Sequence, residues 1–191
     1  MNKKVIAVFG GSFNPPINSH TTLAKQIIEK CSNIEKLIFV PVSTKYQKLK
    51  LENDEHRYNM LKLICQKEDK LEVSNIEMMQ NRQLYTIETL DLLKEQCGEN
   101  YEIWFVMGTD NLKEVDTWNS PERLLREYRI IVLEREDDKL EEIIKNNELL
   151  LKYKESLIKI EEIDKIKNGE NVEEFIDREV LEYIKNNKLY I

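Results

Sequence analysis

The residues with the clearest chemical potential lie in GGSFNPPINSH, Gly10 to His20, directly after the apolar run Val5-Ile6-Ala7-Val8-Phe9. Glycines let a ligand approach the backbone closely, and the free amides of a helix start attract phosphate. A strand, a glycine turn and a helix in succession therefore make an anion site. Asn14, Pro15 and Pro16 keep the chain extended, Asn18 or Ser19 can cap, and Leu23, Ile27, Ile28 and Cys31 recur at helical spacing. His20 is thus expected in the first helical turn, where its imidazole can donate to phosphate oxygens, more strongly if protonated. Taken alone, the same residues also make an ordinary strand-to-helix turn with a capping or surface histidine.

The elements that must position this segment alternate along the chain. Strands are expected over Lys4–Phe9, Leu37–Pro41, Leu71–Ser74, Glu102–Met107, Arg129–Leu133 and Leu157–Ile160. Helices are expected over Ser19–Cys31, Asn53–Cys65, Ile87–Gln96, Asn111–Val115, Ser120–Arg126, Lys139–Leu150 and Arg178–Asn187. The alternation predicts an α/β fold with a doubly wound parallel sheet, whose ligands bind beyond the carboxyl ends of strands at a topological switch. Gly10-Gly11 and Gly108–Asp110 both follow strands and can line such a crevice. From Asp137 to Lys167 the chain is rich in Lys and Glu, with Leu140, Ile143, Ile144 and Leu151 on one face. It is expected to form a solvated amphipathic helix followed by irregular chain. The 191 residues predict one Rossmann-like domain over 1–191, with 171–191 as a C-terminal helical segment.

Beyond the glycine segment, the chain resembles the nicotinate mononucleotide adenylyltransferase family, within the nucleotidyltransferases that carry an (H/T)xGH motif. GGSFNPPINSH is similar to the signature, and PVSTKYQK (Pro41 to Lys48) sits where that family has PPHK. EHRYNMLKL (Glu55 to Leu63) resembles its arginine-and-methionine helix, and LYTIETL (Leu84 to Leu90) its SYTxxTL stretch. WFVMGTDNL (Trp104 to Leu112) resembles the GxDxL strand end, DTWNSPERLL (Asp116 to Leu125) the tryptophan loop, VLERE (Val132 to Glu136) the strand ending in arginine, and FIDREVLEYIKNNKLY (Phe175 to Tyr190) the closing helix. The likeness spans nearly the whole chain. It implies adenylyl transfer from ATP to nicotinate mononucleotide, giving deamido-NAD and pyrophosphate. His20 and Lys48 would be catalytic, Gly10, Gly11, Ser12, Phe13, His20, Gly108, Asp110 and Arg135 would bind ATP, and Tyr85, Thr86 and Trp118 the mononucleotide. Mg²⁺ would arrive with ATP, and no protein metal site is expected.

The departures from that pattern are specific. Ile17 stands for the first histidine or threonine of the motif, Ser19 for its glycine, and Gln47 for the PPHK histidine. The C-terminal SSTxxR-type phosphate signature is missing: its stretch reads SLIKIEEIDKIKNGE, Ser156 to Glu170. Glu161, Glu162 and Asp164 carry the wrong sign for a phosphate there, partly offset by Lys165 or Lys167. An impaired nucleotide-binding homologue with a sensing or assembly role is therefore the alternative, and a purely structural relative a weaker third. Read without the resemblance, Gly108-Thr109-Asp110-Asn111 is also turn and cap chemistry, Thr86 a helix cap, Lys48 a surface charge, and Arg57 and Arg82 ion-pair residues.

Composition narrows the remaining classes. A formal net charge of −7 opposes nonspecific binding to nucleic acid or an anionic membrane. The apolar start is strand-length and the uncharged runs fall short of a bilayer crossing, so a cytoplasmic protein is expected. Three dispersed cysteines, Cys31, Cys65 and Cys97, and only two histidines fit reduced structural thiols better than a zinc centre. Composition leaves oligomeric state and the mononucleotide's base open.

Overall fold

The computed structural model describes residues 3–46, 50–135, 137–161 and 175–190. Six strands form one wholly parallel sheet: β1 (Lys4–Gly11), β2 (Ile34–Pro41), β3 (Leu71–Val73), β4 (Tyr101–Gly108), β5 (Arg129–Glu134) and β6 (Leu157–Glu161). Their order is β3-β2-β1-β4-β5-β6, so the winding reverses between β1 and β4. This is the doubly wound architecture expected from the alternation, with the switch beside the glycine segment.

The strand side chains explain the two-faced packing. Val5, Ala7 and Phe9 of β1 point to one face, where they meet Leu23, Ala24 and Ile27 of α1 (Asn18–Lys30). Ile6 and Val8 point to the other, where they join Ile87, Leu90 and Leu93 of α3 (Thr86–Cys97) and Leu124 and Leu125 of α5 (Pro121–Glu127). Burial on both faces accounts for the unbroken apolar runs of the central strands. On the β2 side, α2 (Asp54–Cys65) uses Leu61 toward the sheet, while its Met60 and Ile64 pack with Ile176 and Val180 beside α8 (Arg178–Asn187). Among the described residues, no helix is long and apolar enough to cross a membrane.

Three local expectations are corrected. The amphipathic helix after β5 is broken into α6 (Leu140–Lys145) and α7 (Glu148–Lys152), because the Asn147 side chain accepts from Leu150 N at 3.1 Å and starts a new helix. Leu151, expected on its apolar face, is exposed, whereas Leu150 is buried. The helix expected at Asn111–Val115 begins earlier, as the short α4 (Thr109–Leu112), followed by a tight turn over Val115–Thr117. Neither Asn18 nor Ser19 caps α1: the N-cap is Ile17.

Candidate active site

Gly10 and Gly11 are the last two residues of β1, paired with Val40 and Pro41 of β2, and the turn proper begins at Ser12. Their value lies in the missing side chain. A Cβ on Gly10 would lie 3.5 Å from the Phe105 ring of β4, and one on Gly11 would meet the Phe13 ring at 3.0–3.3 Å. The residue that takes the left-handed backbone is Phe13, with φ of 45°, an uncommon conformation for an aromatic residue that surrounding contacts must enforce. Its ring is buried and packs edge-on against Phe9, Phe39 and His20. The Phe13 ring is therefore part of the core, which leaves its backbone as the part able to meet a ligand at the turn.

His20 sits in the first turn of α1, as expected, but its imidazole has a definite internal job. Ile17 N–H donates to His20 Nδ1 at 3.0 Å, while His20 N–H donates to the Ile17 carbonyl at 3.0 Å. A backbone N–H can only donate, so Nδ1 carries no proton and the ring's single proton lies on Nε2. Burial against Phe9 and Phe13 lowers the imidazole pKa to about 4, so the ring is neutral near pH 7. The result is a fixed, neutral Nε2–H donor, not the imidazolium that the bare sequence also allowed.

The turn is held from below by Arg57, expected only as an ion-pair residue. That pair exists, Nη2 to Asp54 Oδ1 at 2.6 Å, but the buried guanidinium does more. It also donates to the carbonyls of Glu52 (2.9 Å), Ser12 (2.8 Å) and Val42 (2.6 Å). Asp54 in turn accepts from Ser43 Oγ at 3.1 Å and Thr44 N at 2.7 Å. One cation thus joins the Ser12 turn, the end of β2 and the start of α2. Lys48 and Gln47 lie outside the described residues, as do 162–174, where the phosphate signature was sought.

At the neighbouring strand end, Gly108 precedes α4, and an added methyl there would strike the Asp110 carboxylate. Asp110 Oδ2 lies 3.7 Å from Arg135 Nη2, both side chains being about half exposed, so the ends of β4 and β5 bring Gly108, Asp110 and Arg135 together. The adjacent Thr109 hydroxyl is buried with no hydrogen-bond partner among the described residues. Tyr85 is the N-cap of α3, and the Glu88 carboxylate, held by Arg82 at 2.6 Å, accepts from Tyr85 N at 2.8 Å. Thr86 therefore starts that helix without serving as its cap. Trp118 is partly buried and leans edge-to-face on Phe105, with ring centroids 6.4 Å apart. Since Phe105 also underlies Gly10, a single ring links the glycine strand end to the tryptophan loop.

A separate open cavity of about 430 Å³ lies among Lys113, Asp116, Asp138, Lys139, Asn146 and Asn147. No candidate residue lines it, and its aspartates have the wrong charge for a polyphosphate. The candidate residues instead gather at the strand ends on either side of the β1/β4 switch of a doubly wound α/β sheet.

Comparisons with known proteins agree. A family model described as cytidylyltransferase-like matches residues 8–167, and the chain belongs to that family. A probable nicotinate-nucleotide adenylyltransferase of Borreliella burgdorferi is 31% identical over 190 residues, covering 97% of this chain and 96% of the relative. One from Fusobacterium nucleatum is 30% identical over 187 residues, covering 94% and 96%. In fold, the chain is similar to the nicotinic acid mononucleotide adenylyltransferase of Plasmodium falciparum complexed with NaAD, with a TM-score of 0.78, 24% identity, and 98% and 97% of the two chains covered. The family resemblance read from the motifs is therefore borne out over the full length of the chain.

Proposed function

We propose that this chain transfers the adenylyl group of ATP to nicotinate mononucleotide, forming deamido-NAD and pyrophosphate in NAD biosynthesis. In this reaction a phosphate oxygen of the mononucleotide attacks the α-phosphorus of ATP, and the bond to the departing pyrophosphate breaks. The attacking oxygen is already anionic, so no side-chain base is required. Rate comes from alignment and from donors directed at the charge that develops on the phosphates. The observation that carries the reading is the His20 imidazole, whose Nδ1 accepts from Ile17 N–H so that its proton lies on Nε2, with the ring set against Phe9 and Phe13, which flank the glycine pair.

Within this reading the whole chain works as one nucleotidyltransferase-like domain. Backbone at Gly10, Gly11, Ser12 and Phe13, together with Gly108, Asp110 and Arg135, takes ATP, which brings its own Mg²⁺. Lys48 supplies a second donor. Tyr85, Thr86 and Trp118 take the mononucleotide, whose flat base can stack on the indole. The test is pyrophosphate release from Mg·ATP and nicotinate mononucleotide. Wild-type turnover that is abolished in His20→Ala supports the assignment, and turnover unaffected by His20→Ala refutes it.

One observation favours the alternative, a nucleotide-binding protein without transfer. Ile17, at the motif's first histidine or threonine, is partly buried in the apolar cluster of Met60, Ile64, Ile176 and Val180, so that position offers no phosphate donor. Calorimetric binding of ATP without pyrophosphate release would select this reading.

A further inference from the structure

The turn between β1 and α1 is gripped from the far end of the chain. Asn14 stands at its centre: its Nδ2 donates to the Lys50 carbonyl at 3.3 Å, and its Oδ1 accepts from Glu52 N at 2.9 Å and from Tyr190 Oη–H at 3.1 Å. The two acceptor positions of Oδ1 are thereby both used, which fixes the amide's orientation. Tyr190 is not a loose tail. Helix α8 ends at Lys188 in the left-handed region, with φ of 52°, and Leu189 N donates to the Ile184 carbonyl at 3.1 Å. This is the closing pattern that turns a chain sharply off a helix. Leu189 is then buried, and Tyr190 is delivered against Asn14. Tyr190 itself stays 42% exposed, and partial burial of its phenol pushes the pKa up to about 12, so the hydroxyl stays protonated as a donor through the physiological range.

Helix α8 reaches the same turn at a second point. Ile17, whose N–H orients the His20 ring, packs on the cluster that Ile176 and Val180 form with Met60 and Ile64 of α2. We infer that the C-terminal segment from Ile176 to Tyr190 is a strap that sets the β1–α1 turn, with Tyr190 as a positioning residue for the ATP half of the site. The substrate consequence rests on the adenylyl-transfer reading; the mechanical one does not. A turn held in its bound shape before the ligand arrives spares the ordering cost of binding, so loosening it weakens ATP without altering the reacting groups.

Tyr190→Phe keeps the ring and removes one neutral hydrogen bond, while Asn14 Oδ1 keeps its bond from Glu52 N. In the ligand-free protein, deuterium exchange over residues 11–20 should quicken about fivefold, the worth of one such bond, with α3 unchanged. Asn14→Ala should quicken it at least as much, and adding Tyr190→Phe to Asn14→Ala should change nothing further. Exchange at the wild-type rate in Tyr190→Phe overturns the strap. In turnover, Tyr190→Phe should raise the ATP KM about fivefold, with kcat and the mononucleotide KM within twofold. A melting temperature that falls while the ATP KM holds would make Tyr190 merely structural and overturn its positioning role. If the wild-type protein neither binds nor turns over ATP, the functional reading fails by itself, and the exchange comparison still decides the strap.

Discussion

The double duty of His20 can be separated by two substitutions that keep opposite halves of the imidazole. Asparagine can set its Oδ1 where His20 Nδ1 accepts the Ile17 N–H, now at 3.0 Å, but it has nothing at the Nε2 position. Glutamine can place an amide N–H near Nε2 but leaves the Ile17 N–H without its acceptor. His20→Asn should therefore keep the helix start, with folding free energy within about 0.5 kcal/mol of wild type. Its loss of the phosphate donor should cost about 3 kcal/mol in the transition state, or roughly two orders of magnitude in kcat/KM. His20→Gln should lose about 1 kcal/mol of stability, the usual worth of a helix cap, yet retain more activity than His20→Asn. Pyrophosphate release and urea unfolding on the same preparations measure both axes. An asparagine variant as active as wild type, or a glutamine variant less active than the asparagine one, would refute the assignment of cap to Nδ1 and donor to Nε2.

The remaining predictions test the frame around that imidazole. The folded His20 pKa of about 4 lies below the ordinary 6.5, so the unfolded chain takes up a proton first as pH falls. Stability is full above about pH 6.5 and is lost toward pH 4, by about 2 kcal/mol at pH 5. His20→Asn should lack this component, and an identical pH slope in urea unfolding would contradict it. Arg57→Met leaves the Ser12, Val42 and Glu52 carbonyls without their donor and Asp54 without its cation. Urea unfolding should show a loss of about 3–5 kcal/mol, and a loss under about 1 kcal/mol would mean the guanidinium is not what joins these segments. Gly10→Ala adds a methyl in ordinary contact with Phe105 at 3.5 Å and should melt within about 2 °C of wild type. Gly11→Ala crowds the buried Phe13 ring at 3.0 Å and should lose about 1–3 kcal/mol; equal stabilities would overturn the packing assigned to the two glycines.

How much of this was legible in the sequence depended on how local the cause was. The helix Arg178–Asn187 was expected with the bounds found, because its cap, Asp177, lies immediately before it and accepts from Glu179 N at 2.9 Å. Strands β1, β2 and β4 run longer than their apolar cores, because pairing in a sheet continues through polar or glycine residues such as Lys36, opposite Ile6, and Gly11, opposite Pro41. The place of Gly10, Gly11 and Ser12 directly after the apolar run of β1, and of His20 in the first turn of α1, followed from residue type and spacing. The Arg57 bond to Ser12, the Tyr190 bond to Asn14 and the Phe13 ring's place in the core did not, since each joins segments that only the tertiary fold brings together. The ring nitrogen that accepts from Ile17 was hidden for the same reason: the expected cap was a side chain of Asn18 or Ser19, whereas the cap bond runs backward from the third residue of the helix.

Strand alternation also explains why the glycines come as a pair. Val5, Ala7, Phe9 and Gly11 face α1, the side on which His20 rests against Phe9 and Phe13. Ile6, Val8 and Gly10 face the other layer, the side on which Trp118 leans on Phe105. His20 and the indole therefore belong to opposite faces of one sheet, and under the proposed function a dinucleotide touching both would pass over the end of β1. Any side chain there would stand on one face or the other and narrow that passage, so a strand end crossed by a ligand needs glycine in both registers. The switch between β1 and β4 supplies the opening, because the connections from the two strands leave in opposite directions. Under the proposed adenylyl transfer, Gly10 and Gly11 would keep that crossing open, and each answers to the packing on its own side of the sheet, Phe105 for Gly10 and Phe13 for Gly11.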